Sequence, residues 1–189
     1  MLRFFLLLIT PLIILSQETH ENYIKSLKNG ALLVRLTTNE NLINYYLNNN
    51  NIQKANNEIE KQNKSNNNII ASFQNAWSFC PVYFFYSNNY IDIKNNNFEP
   101  VFKDINGVKL SEFEKENLKD NFLISYFGTN PGTLNFNALV LTNRNLHKLH
   151  RSIPRFVRTY KGLWFLERKK EKSIQMLQKK IEFYWSGKQ

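Results

Sequence analysis

Short apolar runs and amphipathic stretches alternate along this chain, and their periods predict its elements. Gly30-Ala31-Leu32-Leu33-Val34-Arg35-Leu36 is apolar on both faces and bounded by Gly30 and Thr37-Thr38, which predicts a buried central strand. Before it lies a polar lead-in with a short helix about Tyr23–Leu27. After it, Thr38 or Asn39 can cap a helix, because a short oxygen-bearing side chain accepts a bond from a free N–H of the first turn. Leu42, Ile43, Tyr46 and Leu47 share a face of that helix, and the Asn48–Asn51 run ends it. Ile52, Ala55, Ile59, Ile69, Ile70, Phe73 and Trp77 then recur at three- and four-residue steps around a wholly polar middle, Glu60–Asn68. That pattern fits one long helix with an exposed middle, or a helix–turn–helix with a solvated corner.

Phe79-Cys80-Pro81-Val82-Tyr83-Phe84-Phe85-Tyr86-Ser87 is aromatic, β-branched and uncharged, the strongest strand signal in the chain. Pro81 is tolerable near its start. Residues 88–97 read as an Asn-rich loop. Glu99–Phe102 and Val108–Leu110, joined across Asp104-Ile105-Asn106-Gly107, read as a small hairpin with Asn-Gly at its turn. Asn121–Phe127 and Asn137–Thr142 are further strands, and Asn143-Arg144-Asn145 turns the second back into Leu146–Leu149. Arg155–Tyr160 and Leu163–Glu167 predict a last hairpin about Lys161-Gly162. Ile174, Leu177, Ile181 and Tyr184 or Trp185 mark one face of a closing helix. A crossover helix between two buried strands favours a parallel pair at the heart of the sheet, with antiparallel strands added later. The fold class is α/β: a mixed sheet with a long crossover helix and a C-terminal helix, thioredoxin-like in outline.

The front of the chain has a different pattern. Arg3 is followed by the apolar run Phe4–Leu15 and then Ser16-Gln17-Glu18. A spanning helix needs about 20 apolar residues, and this run is shorter and carries Pro11. It predicts a signal peptide over residues 1–16 and a single globular α/β domain over 17–189, exported to the periplasm or cell envelope, with no transmembrane helix in the mature chain. Cys80 is the single cysteine, so no intramolecular disulfide is available and stability must come from packing. The formal net charge is +10. Part of that follows from a bias toward Asn, Lys, Ile, Phe and Tyr that suits an AT-rich genome, so charge alone assigns no function.

Three stretches carry a resemblance: Gly30–Leu36, Phe79–Ser87 and Arg155-Phe156-Val157-Arg158-Thr159-Tyr160. Their order and context resemble a family of uncharacterised exported proteins of the Bacteroidota. The resemblance implies an envelope location and supplies no activity and no functional residue.

The densest chemistry lies in one basic stretch. Arg144, His147, Lys148, His150, Arg151, Arg155, Arg158 and Lys161 are interleaved with Phe156, Tyr160 and Trp164, with no acidic residue among them. Arginine presents a planar fork to carboxylate or phosphate, and aromatic neighbours stack on sugars or bases. Arg144, Lys148, Arg151, Arg155, Arg158, Lys161 and Tyr160 are the candidate partner-binding residues. Their partner would be an anionic envelope polymer or an acidic protein; export argues against nucleic acid. A solvated strand edge that blocks edge-to-edge pairing explains the same charges. The loop 128–133 follows a buried strand, where open α/β sheets place ligands, and offers Gly128, Thr129, Asn130 and Gly132. It lacks the Gly-Lys-Ser/Thr ending of a phosphate loop.

Other chemistry is thinner. Cys80 heads Cys80-Pro81-Val82-Tyr83, so the resolving thiol of a Cys-x-x-Cys pair is absent, and no sequence feature brings a histidine to its sulfur. A buried, inert thiol is the plain expectation. His147 and His150 are set among cations, which disfavours a metal. Asp104, Glu112, Glu114, Glu116 and Asp120 read as a solvated face. No cofactor motif is present. A non-enzymatic binding or assembly module with a basic aromatic face is therefore the leading expectation, and a thiol-dependent or hydrolytic enzyme the alternative.

Overall fold

A computed structural model describes residues 20–119, 121–130, 135–162 and 165–187. The expected leader and Gly132 lie outside the described residues. Five strands, β1 (Ala31–Leu36), β2 (Val82–Tyr86), β3 (Phe122–Thr129), β4 (Asn137–Thr142) and β5 (Phe156–Arg158), form one sheet in the order β2-β1-β3-β4-β5. β1 is parallel to β2 and to β3, while β3–β4 and β4–β5 are antiparallel. The mixed α/β sheet with a long crossover helix and a C-terminal helix is the architecture that the hydrophobic pattern predicts.

Each face of the sheet has its own apolar layer, because strand side chains alternate between faces. Leu32, Val34, Leu36, Phe84, Leu123, Leu139, Leu141 and Val157 turn to one side. There they meet α1 (His20–Asn29), the inner half of α3 (Ile52–Ala76) and α6 (Lys170–Ser186), through Ile24, Leu27, Ile70, Phe73, Ile174, Leu177 and Ile181. Ala31, Leu33, Phe85, Phe122 and Ile124 turn to the other side, against α4 (Tyr90–Lys94), α5 (Glu112–Leu118) and the chain between them, through Ile93, Phe98, Val101, Leu110 and Leu118.

α3 is one continuous helix of 25 residues, which settles the choice between a long helix and a broken one. Its polar middle is exposed apart from the half-buried Gln62 and the buried Asn66, whose Nδ2 donates to the Thr37 carbonyl at 2.9 Å. α2 (Glu40–Asn48) buries none of its residues and packs along α3. Asn39 heads it without a side-chain cap; its amide instead donates to Glu58 on α3, and its backbone N–H to Gln62, both at 2.6 Å. The expected break falls at Asn49–Asn51, where Asn50 takes a left-handed φ of 54°.

Four expectations are corrected. The Asn-rich segment 88–97 is not all loop: a 3₁₀ turn at Ser87–Asn89 leads into α4, because Ile93 has a core to enter. The segment after Leu110 holds a helix, α5, that the hydrophobic pattern left unassigned, and its Glu112 and Glu116 are exposed as a solvated face requires. Ser111 accepts from the Glu114 N–H while Glu114 accepts from the Ser111 N–H at 2.8 Å, a capping box written plainly as Ser-x-x-Glu. The Glu99–Leu110 hairpin contracts to one bridge, Phe102↔Lys109, with Gly107 at φ 74° in its turn. Among the described residues, no strand pairs back after β5. Leu163 and Trp164 lie outside the described residues, Phe165 and Leu166 form an exposed turn, and Arg168 returns, its backbone N–H donating to the Thr159 carbonyl at 2.9 Å and its guanidinium to the Arg158 carbonyl at 2.8 Å.

Among the described residues, no helix is long and apolar enough to cross a membrane.

Candidate functional site

β5 and the segment before it lie beside α6, and the same apolar anchors position both walls of a groove. Leu149, Ile153 and Val157 insert into the core beneath α6, and the Arg155 carbonyl accepts from Leu141 N–H at 2.8 Å. Around these anchors Arg151 is exposed and Arg155 half-buried, both at the edge of the layer beneath α6. On α6 the stripe Ile174, Leu177, Ile181 faces the sheet, so Lys179, Lys180 and Phe183 fall on its flank. Between the walls lies an open groove of about 780 Å³, lined by Arg151, Ile153, Pro154, Arg155, Phe156, Lys179, Lys180, Phe183 and Tyr184 among others.

The chemistry of this groove is one-sided. Four cationic side chains line it, and among the described residues no carboxylate does. Glu182, the nearest acidic residue along α6, accepts from Gln178 Nε2 at 2.8 Å. Phe183 is 81% exposed, unusual for a large apolar ring. The Arg155 guanidinium lies 5.9 Å from the centre of the Phe156 ring. An unneutralised positive field over an apolar floor attracts an anion and gives any apolar part of it a surface to rest on.

The structure brings together two of the predicted residues, Arg151 and Arg155, and sends the others elsewhere. Arg144 is a clamp: its guanidinium donates to Asn96 Oδ1 at 2.6 Å and to the Lys119 carbonyl, and lies 5.2 Å over the Phe122 ring. Lys148 is exposed and its backbone bridges Thr142. Arg158 points from the opposite face of β5, over the Phe136 ring at 4.4 Å. Tyr160 carries the Arg168 guanidinium at 4.8 Å over its ring, with Lys161 exposed beside it. Burial, with the Lys161 charge nearby, holds the Lys170 ammonium below its ordinary value. The basic stretch is thus contiguous in sequence but divided in space, since strand and turn direct successive residues to different faces. Lys179, Lys180 and Phe183 escaped the sequence reading. Their signal was a basic pair and a phenylalanine beside, rather than on, the apolar stripe of the last helix.

Gly128 and Thr129 belong to β3, paired with Ala138 and Asn137, and the Asn130 N–H donates to the Phe136 carbonyl at 2.9 Å. The predicted loop therefore begins later than expected, as the end of a β3–β4 hairpin. His150 Nδ1 accepts from the Ser152 N–H at 3.3 Å and shapes a turn. Among the described residues no three His, Cys, Asp or Glu side chains gather as a metal site.

Cys80 packs against the layer beneath α3, and burial pushes its thiol up to about 12 despite the Trp77 and Leu32 hydrogen bonds and the Lys28 charge that oppose the rise. Since the thiolate is the nucleophile, such a thiol is unreactive at neutral pH. Comparison with family models, curated proteins and solved structures found no match.

Proposed function

We propose that this chain is a non-enzymatic binding module of the bacterial envelope that holds an anionic partner in the groove between β5 and α6. The observation that supports this reading most strongly is the meeting of Arg151 and Arg155 with Lys179 and Lys180 around an exposed Phe183, with no carboxylate among the described lining residues. Such a surface recognises an anionic envelope polymer or an acidic protein face, with arginine forks giving direction and lysines adding field. Export, which the proposal includes, rests on the pattern of residues 1–16.

Retention on an immobilised anionic polysaccharide at low salt tests it. Wild type is expected to bind and to elute as salt screens the charges. The variant R155E/K179E/K180E should flow through. Equal retention of the two proteins would refute the groove as the binding surface.

A further inference from the structure

We infer that Arg35 anchors a second binding site, separate from the groove, for a small oxyanion carried on an apolar or aromatic body. Arg35 lies next to the end of β1, on the sheet face opposite α3 and α6. The register places it beside Phe85 of β2. On its other side Val34 pairs with Ser125, which makes Tyr126 its neighbour on β3; Tyr126 pairs with Val140, and Val140 with Phe156. One cross-strand row thus reads Phe85, Arg35, Tyr126, Val140, Phe156: a single charge in a line of rings and methyl groups.

One donor of this half-buried side chain is not answered among the described residues. The Arg35 Nε is shielded from solvent and meets no acceptor among the described residues, and none of their carboxylates pairs with the guanidinium. Its buried polar neighbours behave otherwise. Ser125 Oγ donates to the Val140 carbonyl at 2.9 Å, and Thr142 Oγ1 to the Ile124 carbonyl at 3.2 Å. Arg144, also on this side of the sheet, is fully engaged. Desolvating an arginine N–H without an acceptor is costly, and a bound ion is one of the groups that would answer it. Groups held at such a cost collect where ligands bind.

The location points the same way. Arg35 and Phe85 stand at the carboxyl ends of β1 and β2, and from here β1 leads away toward β2 while β3 leads toward β4. Neighbouring strands whose continuations diverge leave a crevice beyond their carboxyl ends, and open α/β sheets bind ligands there. The ring of Tyr126 lies over Gly128, where an added Cβ would meet it at 3.2 Å, so the missing side chain makes room for an aromatic wall beside the guanidinium. Tyr90 and Tyr126 both feel the Arg35 charge, which opposes the rise that burial causes in their phenols. A planar fork between rings suits a carboxylate or phosphate whose remainder is flat and apolar.

Thermal unfolding of the full chain with benzoate, phenyl phosphate or sodium chloride at matched ionic strength tests the site. Benzoate or phenyl phosphate should raise the midpoint by mass action while chloride does not, and the stronger of the two identifies the headgroup. In R35M the rise should vanish and the ligand-free midpoint should increase, because a buried N–H without an acceptor has been removed. In R35K, which keeps charge but loses the fork, the rise should shrink. The groove variant R155E/K179E/K180E should keep the full rise. No rise in wild type, or an undiminished rise in R35M and R35K, would overturn the inference. A rise lost in the groove variant would also overturn it, while supporting the groove reading.

Discussion

Lys103 and Glu114 meet at 2.7 Å, tying the turn beside β2 to the first turn of α5. The same carboxylate closes the capping box with Ser111 and accepts from the Tyr83 hydroxyl at 3.3 Å. One side chain thus joins three elements of the layer that packs on this side of the sheet. The Lys103 ammonium, with the Ser111 N–H, holds Glu114 down to about 2.

Because the folded-state value lies below the ordinary carboxylate range, Glu114 stabilises the fold fully above about pH 5, and the contribution is lost as pH falls through about 4.5 toward 2. E114Q keeps a capping group and loses the charge, at a cost of about 1 kcal/mol at pH 7. Urea unfolding of both proteins across pH 2–7 checks this. The two stabilities should differ at neutral pH and converge near the acid end. A constant gap would show that the charge is not the cause.

Gly30 stands where α1 hands over to β1, and a Cβ there would lie 1.6 Å from the Asn121 carbonyl oxygen. That oxygen already accepts from the Ala31 N–H at 3.0 Å, so the backbone cannot yield without losing the bond. Gly30→Ala is expected to destabilise by about 1–3 kcal/mol, as overpacking does. An unchanged denaturation midpoint would contradict the close approach.

The Cys80 thiol, pushed up to about 12 by burial, should resist alkylation. Compared with a thiol of ordinary acidity, about a thousandfold less thiolate is present near neutral pH, and reaction with iodoacetamide should slow accordingly. Mass spectrometry of timed samples, native against urea-unfolded, measures the ratio. Native labelling as fast as unfolded labelling would place the thiol in solvent.

Arg144 distinguishes a clamp from a binding residue. R144A removes the contacts to Asn96, the Lys119 carbonyl and the Phe122 ring, and should cost about 1–3 kcal/mol. Retention on the anionic matrix should not change. Weakened retention in a variant that remains folded would return Arg144 to the binding surface.

Sequence alone determined the elements whose apolar period is long enough to admit one solution. β1 and β4 are uniform buried runs, α3 repeats its apolar steps across two separate stretches, and α6 carries a clean stripe. Those periods specify which residues face a core, and so a mixed sheet between helices. Tertiary structure decided what short-range pattern cannot carry. α4 and the turn before it form because Ile93 and Phe98 find a second apolar layer, not because an Asn-rich segment favours helix. The groove unites residues from 151–156 with residues from 179–184, a pairing set by which flank of α6 faces β5. The same packing separated Arg144 from Arg155, and left the Arg35 Nε without an acceptor among the described residues, in a row of rings. Local periodicity sets the direction of a side chain from its own backbone; what that side chain meets depends on an element distant in sequence.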